Sequence, residues 1–275
     1  MKILLFVFCC LLFGCKEKKV KNKQQTNRTD NVNVQYNFNQ PNFTWKLPSS
    51  LNEVSGIILF NDSIILCQED EKGRIYLYNL NTSVVDKIIS FGSADDYEDI
   101  SLFENVVYLI NSKGTVASVV NYMQEPLLTK YNTVLSQKND VEGLCYDFVS
   151  QSFLIVCKEQ QGNDTEDKDQ KIVYQFQIET KQIVPKPFLV FKEKNFKPSA
   201  IAVHPISKNI YVLSASKEKL LELARDGSII VTHELKKSSF PQPEGLAFAS
   251  NGNLYIANEA VDGAATILMF EYLHK

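Results

Sequence analysis

The chain has 275 residues, of which 44% are hydrophobic and 22% are charged, and its formal net charge at pH 7 is -3. After a polar N-terminal region about 235 residues remain, which is enough for one domain with a sizeable core. A slightly acidic chain offers no strongly basic face to neutralise phosphates, so the composition argues against a nucleic-acid-binding protein.

Residues 1–14 have the form of a signal peptide. Lys2 precedes an apolar stretch, Ile3 to Gly14, which is shorter than the about 20 apolar residues that a membrane-spanning helix needs. The stretch ends in "LLFGC", which resembles the lipobox of bacterial lipoproteins, although Phe13 is bulkier than usual for that motif. Cys15 is therefore the predicted lipidation site, and the mature protein is expected outside the cytoplasm, anchored by lipid to a membrane of the cell envelope. The alternative is an ordinary secretory signal with an incidental cysteine.

Residues 15–41 are polar and rich in Asn, Lys and Gln. Such a composition buries too little apolar surface to offset the entropy of ordering. We therefore expect a tether from Cys15 to residue 41 and a folded domain over residues 42–275.

Three cysteines follow Cys15: Cys67, Cys145 and Cys157. Their number is odd and no pair has the spacing of zinc ligands, so they do not predict a disulfide framework. Cys67 and Cys157 each end an apolar run and are expected to be small buried side chains.

A repeat dominates the rest of the chain. Five segments share a polar marked residue, a small residue and an aliphatic one: "EVSGI" at Glu53, "YEDIS" at Glu98, "VEGLC" at Glu142, "PSAIA" at Ser199 and "PEGLA" at Glu244. The marked residues recur every 44 or 45 positions, except for a step of 57 between the third and the fourth. A charged insertion, residues 159–171, accounts for this step and is predicted to be a solvated hairpin loop.

Each repeat contains further apolar runs at the spacing expected of β-strands. Repeats of 40 to 50 residues with four strands each are typical of propeller blades, so the sequence predicts an all-β fold, a five-bladed β-propeller. One run, "KLLELARDG", also has the leucine spacing of a helix, and only its place in the repeat favours a strand. The segment Asn42 to Pro48 has no repeat of its own and is predicted to close the ring as the outer strand of the last blade, with Trp45 as a core anchor.

In a propeller the first strand of every blade lines the central channel, so the marked residues should meet near one mouth: Glu53, Glu98, Glu142, Glu244 and Ser199. Four carboxylates at such short distances raise one another's pKa unless a cation lies between them. Calcium, which accepts six to eight oxygen ligands, is the predicted ion. Two alternatives are that Lys158 supplies the positive charge, or that each glutamate caps its own blade through backbone N–H groups.

Five residues at the ends of the second strands are candidates to line the same mouth and to select a ligand: Glu69, Ser112, Lys158, Ser216 and Glu259. The alternative is that they are solvated polar groups of loops.

Several strings, in order, carry a family resemblance: "LPSSLNEVSGI", "DDYEDIS", "NDVEGL", "KPSAIAVHP", "QPEGLAF" and "GNLYIANE". Together they resemble the SdiA-regulated domain family of bacterial envelope proteins, a β-propeller family distantly similar to NHL-repeat proteins. The resemblance covers Trp45 to the C-terminus. It implies a five-bladed propeller with a calcium site at the positions of the marked glutamates, and it implies no particular activity.

Hydrolase signatures are missing, because the chain has no G-x-S-x-G elbow, no H-E-x-x-H and no phosphate-binding loop. Its histidines, His204, His233 and His274, lie away from the marked positions. The favoured hypothesis is a noncatalytic, lipid-anchored binding module, monomeric as a closed ring, with calcium at one channel mouth and a small-molecule or protein ligand. The alternatives are a calcium-dependent hydrolase of a phosphoester or a lactone, and a structural metal in a propeller whose rim contacts a protein partner.

Overall fold

A computed structural model of the protein describes residues 35–159 and 169–273. The signal peptide, Cys15, most of the tether, His274 and most of the insertion lie outside these residues. Within them the chain forms five antiparallel sheets, and no helix has the length and apolar character that crossing a bilayer requires. The sheets are arranged as a five-bladed β-propeller, which confirms the fold predicted from the repeat.

Each blade is an antiparallel meander that runs from the central channel to the outside. Blade 1 comprises β2 (Val54–Leu59), β3 (Ile64–Glu69), β4 (Arg74–Asn79) and β5 (Val84–Ser90). Blade 2 comprises β6 (Tyr97–Phe103), β7 (Val106–Asn111), β8 (Val116–Val120) and β9 (Leu127–Tyr131). Blade 3 comprises β10 (Val141–Asp147), β11 (Ser152–Cys157), β12 (Gln170–Gln177) and a divided outer strand, β13 (Gln182–Ile183) with β14 (Leu189–Lys192). Blade 4 comprises β15 (Ala200–Val203), β16 (Ile210–Ser214), β17 (Lys219–Leu223) and β18 (Ile229–Glu234). Blade 5 comprises β19 (Pro243–Phe248), β20 (Leu254–Asn258), β21 (Thr266–Phe270) and β1 (Phe43–Lys46).

Burial decreases from the second strand of a blade to the fourth. All six residues of β11 are buried, whereas half-buried and exposed residues alternate along β18. The second strand of a blade is covered on both faces by the neighbouring blades, so it requires a short run of apolar residues. The leucine-rich run "KLLELARDG", which also has the spacing of a helix, forms strand β17. The strand predicted from its place in the repeat is confirmed.

The ring closes as the sequence predicted. The inner strands contact one another in chain order, and β19 returns to contact β2. β1 pairs with β21 from Phe43 opposite Met269 to Lys46 opposite Thr266. Trp45 anchors this closure, because its Nε1 donates to the carbonyl oxygen of Leu80 over 2.8 Å and its ring packs against the core cluster beneath blades 1 and 5.

The folded domain begins earlier than residue 42. Tyr36 is 1% exposed, its hydroxyl donates to the carbonyl oxygen of Gly252 over 2.6 Å, and Nε2 of His204 lies 2.8 Å from the same hydroxyl. Phe38 packs against the core cluster that contains Tyr36 and apolar residues of blades 4 and 5. Residues 35–41 therefore pack as part of the propeller, because two aromatic side chains give this otherwise polar segment enough apolar surface to bury.

The three cysteines are buried and free, as the sequence indicated. Cys67 and Cys157 are completely shielded from solvent. Burial raises the pKa of both thiols well above the usual range.

Neighbouring inner strands approach so closely that glycine is needed at one position. A Cβ atom on Gly56 would lie 2.7 Å from the amide nitrogen of Ile100. We expect Gly56→Ala to lower the free energy of unfolding by about 1–3 kcal/mol through overpacking. Gly263, where a Cβ atom would meet nothing within 4 Å, is the matched control, and Gly263→Ala should change the stability by less than about 0.5 kcal/mol. Denaturant unfolding of the two variants measures the difference, and equal stabilities would contradict the close packing.

Candidate functional site

The two mouths of the central channel differ chemically. Every inner strand begins at one mouth, the acidic mouth, and ends at the other, the apolar mouth. The acidic mouth is a pocket of about 300 Å³ lined by seven carboxylates, one ammonium and two neutral polar side chains: Glu53, Asp70, Glu98, Asp140, Glu142, Glu244, Glu259, Lys158, Ser55 and Gln242. The apolar mouth, also about 300 Å³, is lined by the last residues of the inner strands, including Ile58, Leu102, Tyr146, Val203 and Phe248.

β-Bulges turn the functional side chains into the acidic mouth. In four blades one residue of the inner strand is left out of the pairing between the first and second strands. In three of these blades the residue that follows it is glycine. The residues left out are Ser55, Glu98, Glu142 and Glu244. A bulged residue is left out of the ladder and its side chain is re-aimed. The repeat therefore places three glutamates and a serine on equivalent backbone positions around the channel.

Ser55, not Glu53, is the repeat equivalent of the other glutamates. Glu53 lies two residues before Ser55 and is exposed, although it still lines the acidic mouth. The sequence prediction matched the repeats by their acidic residues. In the structure the bulged residue is the one directly before the same repeat position in the strand, which is glycine in blades 3 and 5 (Gly143 and Gly245). Aligning that glycine in the sequence would have found Ser55.

Ser199 is not among the residues that line the acidic mouth, but its side chain hydrogen-bonds to Glu244, which is. It precedes β15, and its hydroxyl donates to the carbonyl oxygen of Pro243 in blade 5 over 2.9 Å. The hydroxyl oxygen of Ser199 in turn accepts from the amide of Ala215 over 3.2 Å. Ser199 thus joins blades 4 and 5.

Two of the five second-strand candidates, Lys158 and Glu259, line the acidic mouth. The other three make contacts outside it. Glu69 is buried and pairs with Lys72 over 3.3 Å, and the hydroxyl of Ser112 donates to Asp96. The hydroxyl of Ser216 lies 3.4 Å from that of Ser214.

Asp70 is the residue of blade 1 that corresponds to Lys158 and Glu259. The amide of Asp70 donates to the carbonyl oxygen of Glu53, as the amide of Lys158 donates to that of Asp140. The prediction chose Glu69 because it ends the apolar run, one residue too early. The sequence prediction did not include Asp70, Asp140 and Gln242 among the residues of the mouth. Their positions at the mouth depend on the strand pairing around the bulges, which no apolar pattern in the sequence indicates.

The carboxylates of the acidic mouth are held at raised pKa values. Burial is the main cause, and it raises the pKa of Asp70 to about 6, that of Glu244 to about 7 and that of Glu259 to about 8. Burial and the neighbouring Glu142 also raise the pKa of Glu98 far above its usual range. The mouth therefore takes up protons near neutral pH when no cation compensates its charge.

Lys158 supplies part of the missing positive charge. Its Nζ lies 2.9 Å from Oε1 of Glu142, whose side chain is 4% exposed. Burial lowers the pKa of this lysine, but Glu142 outweighs that effect and raises it, so the ammonium stays charged. One ammonium still faces seven carboxylates, so lysine pairing alone leaves most of the charge of the mouth uncompensated.

Backbone capping does not explain the glutamates. Among the described residues no backbone N–H donates to the carboxylates of Glu98, Glu142 or Glu244. Asp99 behaves differently, since its two oxygens accept from the amides of Ile100 and Leu144, each over 2.8 Å. In blade 2 the neighbouring aspartate thus binds backbone while the bulged glutamate faces the channel.

The donor set of the acidic mouth suits a hard cation. Within residues 35–159 and 169–273, no three His, Cys, Asp or Glu side chains are already grouped so as to hold a metal ion. However, Oδ1 of Asp70 is buried without a hydrogen-bond partner among these residues, and carboxylate oxygens are the ligands that calcium prefers. The chemistry fits calcium, and closing a coordination shell would require the carboxylates to turn inward.

Neither described histidine lies at the acidic mouth. His204 is buried beside Tyr36, and His233 lies on β18 in the outer part of blade 4. Burial lowers the pKa of each imidazole to about 4. Neither is therefore placed to act as a general base on a ligand in the pocket.

A family model described as SdiA-regulated matches residues 52–261. The chain belongs to the SdiA-regulated family. This result confirms the resemblance carried by the repeated strings. A search of curated proteins gives no match to this member of the family.

Solved structures similar to this SdiA-regulated chain support its fold. Glutaminyl cyclase from Myxococcus xanthus has a TM-score of 0.59 at 10% identity, covering 86% of this chain and 97% of the cyclase. A PQQ-bound aldose sugar dehydrogenase from Streptomyces coelicolor has a TM-score of 0.54 at 11% identity, covering 84% and 97%. A virginiamycin B lyase from Staphylococcus aureus, in a structure with quinupristin, has a TM-score of 0.50 at 14% identity, covering 82% and 69%. At such low identity the likeness concerns the fold alone.

Proposed function

We propose that this protein is a lipid-anchored binding module of the cell envelope whose acidic mouth binds calcium. Its physiological ligand would be a small molecule or a protein held at or beside that ion, and the closed ring would act as a monomer. The observation that carries the proposal is the imbalance of seven carboxylates against one ammonium in a pocket of about 300 Å³.

The bulged glutamates are the central ligands in this proposal. Glu98, Glu142 and Glu244 occupy equivalent positions around the channel, and Asp70 and Glu259 stand at the ends of second strands beside them. Together these five side chains offer more oxygens than the six to eight that calcium accepts. When bound, the ion would supply positive charge to a site that otherwise has to hold protons.

Lys158 takes the part of a resident counter-charge. It compensates Glu142 while the site lacks an ion, and it would swing away as the glutamate turns toward calcium. With 31% of its side chain exposed, the lysine has room to move into solvent. The lysine and the metal are therefore successive partners of one carboxylate.

The lipid anchor rests on the sequence. Cys15 ends the apolar stretch in "LLFGC" and is followed by the charged residues "KEKK". A cysteine in this setting is typical of bacterial lipoproteins, and multiple acylation gives stable anchoring. This anchor would keep the propeller outside the cytoplasm at a membrane surface.

Isothermal titration of the purified full chain with calcium tests the metal site. We expect binding of one ion with release of protons, seen as a heat that depends on the ionisation enthalpy of the buffer. Magnesium should bind more weakly, because it requires near-ideal octahedral geometry and loses water reluctantly. Absence of binding at millimolar calcium would refute the metal site and leave lysine pairing as the explanation of the mouth.

A further inference from the structure

The turns around the apolar mouth expose large hydrophobic side chains. Phe148 and Val149, in the turn between β10 and β11, are 38% and 51% exposed, and Ile206, in the turn between β15 and β16, is 44% exposed. The ammonium of Lys208 lies 4.3 Å from the centre of the Phe148 ring. These four side chains form one surface on blades 3 and 4, which we name the apolar patch.

The apolar patch continues into the channel. Phe148 also lines the apolar mouth, together with Pro205 of the neighbouring turn. Hydrophobic side chains grouped at a rim mark an interaction surface more often than singly scattered ones do. In the corresponding turns of blades 1 and 2, exposed acids, Asp62 and Glu104, stand beside a single exposed hydrophobic side chain, Phe60 (37%), so the hydrophobic side chains are concentrated on blades 3 and 4.

The described chain begins on this same face. The carbonyl oxygen of Gln35 accepts from the amide of Leu273 over 3.0 Å, and Tyr36 is fixed to Gly252 in the turn between β19 and β20. That turn belongs to blade 5, which adjoins blade 4. Gln35 stands 20 positions after Cys15, the predicted lipidation site. Because Gln35 lies on this face, an anchored chain enters the propeller from the side of the apolar mouth.

The opposite mouth is unsuited to lipid. Its seven carboxylates would be repelled by anionic headgroups and would lose water at the hydrocarbon boundary. The apolar patch has the reverse character, with three hydrophobic side chains and one lysine whose stem can lie on apolar surface while its ammonium reaches a phosphate.

We propose that the apolar patch rests on the phospholipid bilayer, so that the acidic mouth opens away from the membrane. The inference rests on the proposed lipid anchor at Cys15. An anchored propeller in this orientation presents its cation site to the solvent, where a ligand can reach it, and its hydrophobic turns to the lipid.

Site-directed spin labels test the orientation on the full lipidated chain, bound to phosphatidylcholine vesicles. Val149→Cys places a label in the apolar patch. Val261→Cys, at a similarly exposed valine (53%) on the loop after Glu259, is the matched control beside the acidic mouth. Cys67, Cys145 and Cys157 are buried and should leave the introduced thiol as the preferred target.

On vesicle binding, we expect the label at position 149 to lose most of its collisions with a water-soluble nickel chelate and to gain collisions with oxygen. The label at position 261 should stay accessible to the nickel chelate. Labels that are equally accessible on bound protein would overturn the orientation and leave the patch to a protein partner, and shielding of Val261 alone would reverse it. A chain that fails to co-sediment with vesicles would instead refute the anchor itself, together with this inference.

Discussion

Replacing Glu142 by glutamine is expected to abolish the stabilisation of the propeller by calcium. A ligand that binds only the folded state raises the free energy of unfolding by about 2.7 kcal/mol at a hundredfold excess over Kd. Glu142 is the most buried of the three bulged glutamates and would have to exchange Lys158 for the ion, so its charge should be essential. Denaturant unfolding in EDTA and in millimolar calcium measures the response of each protein.

Two control variants make this result specific. Glu234→Gln removes a carboxylate that is 71% exposed on β18 and pairs with Lys219, away from the acidic mouth, so this variant should respond to calcium as the wild type does. Lys158→Gln removes the competing ammonium and should lower the calcium concentration needed for half of the response. A Glu142→Gln protein that calcium stabilises as strongly as the wild type would rule out the bulged glutamates as ligands.

Without calcium, the stability of the protein is expected to fall as the pH rises from 6 to 8. The folded pKa values of Asp70, Glu244 and Glu259 are about 6, 7 and 8, above the ordinary values near 4. For an acid whose pKa is raised on folding, the stabilising contribution is complete below the unfolded pKa and is lost as the pH passes through the folded pKa. Between pH 6 and 8 the loss from Glu244 alone should be about 1 kcal/mol, because the part of the loss between its ordinary pKa and pH 6 comes earlier.

Thermal unfolding in EDTA across this pH range measures the effect. Calcium should flatten the dependence, because it favours the ionised carboxylates that protons otherwise neutralise. Glu244→Gln should reduce the slope in EDTA, whereas Glu234→Gln should leave it unchanged. A metal-free protein whose stability is constant or increases between pH 6 and 8 would show that the acidic mouth carries no uncompensated charge.

The architecture was predictable because a blade is a repeated unit. A period near 45 residues determined the number of blades, and the unmatched segment around Trp45 indicated how the ring closes. The folded segment at Tyr36 escaped prediction because its two aromatic residues stand in a polar stretch that has no counterpart in the repeat. Tyr36 is buried by contacts with His204 and Gly252, and Phe38 packs against His233, Phe240 and Phe270. All of these residues are far away in the sequence.

The candidate site was predictable only in part. Spacing alone identified Glu98, Glu142 and Glu244, because each is the bulged residue of its blade. It misplaced the blade 1 equivalent, where Ser55 holds the bulge and Glu53 lies beside it. A β-bulge inserts one residue into one strand. Matching similar residues between repeats does not show which residue is left out of the strand pairing.

The chemical contrast between the two mouths gives the propeller a direction. Carboxylates on bulges collect at one end of the channel, and hydrophobic residues at the strand ends collect at the other. In the proposed account this single asymmetry places the ion toward the solvent and the apolar patch toward lipid.

Anomalous diffraction from crystals grown with calcium at neutral pH tests the central claim most directly. The account predicts an anomalous peak in the acidic mouth, about 2.3–2.6 Å from carboxylate oxygens that include those of Glu142, with the ammonium of Lys158 moved away from that glutamate. A mouth without such a peak, in which Nζ of Lys158 remains 2.9 Å from Oε1 of Glu142, would contradict it.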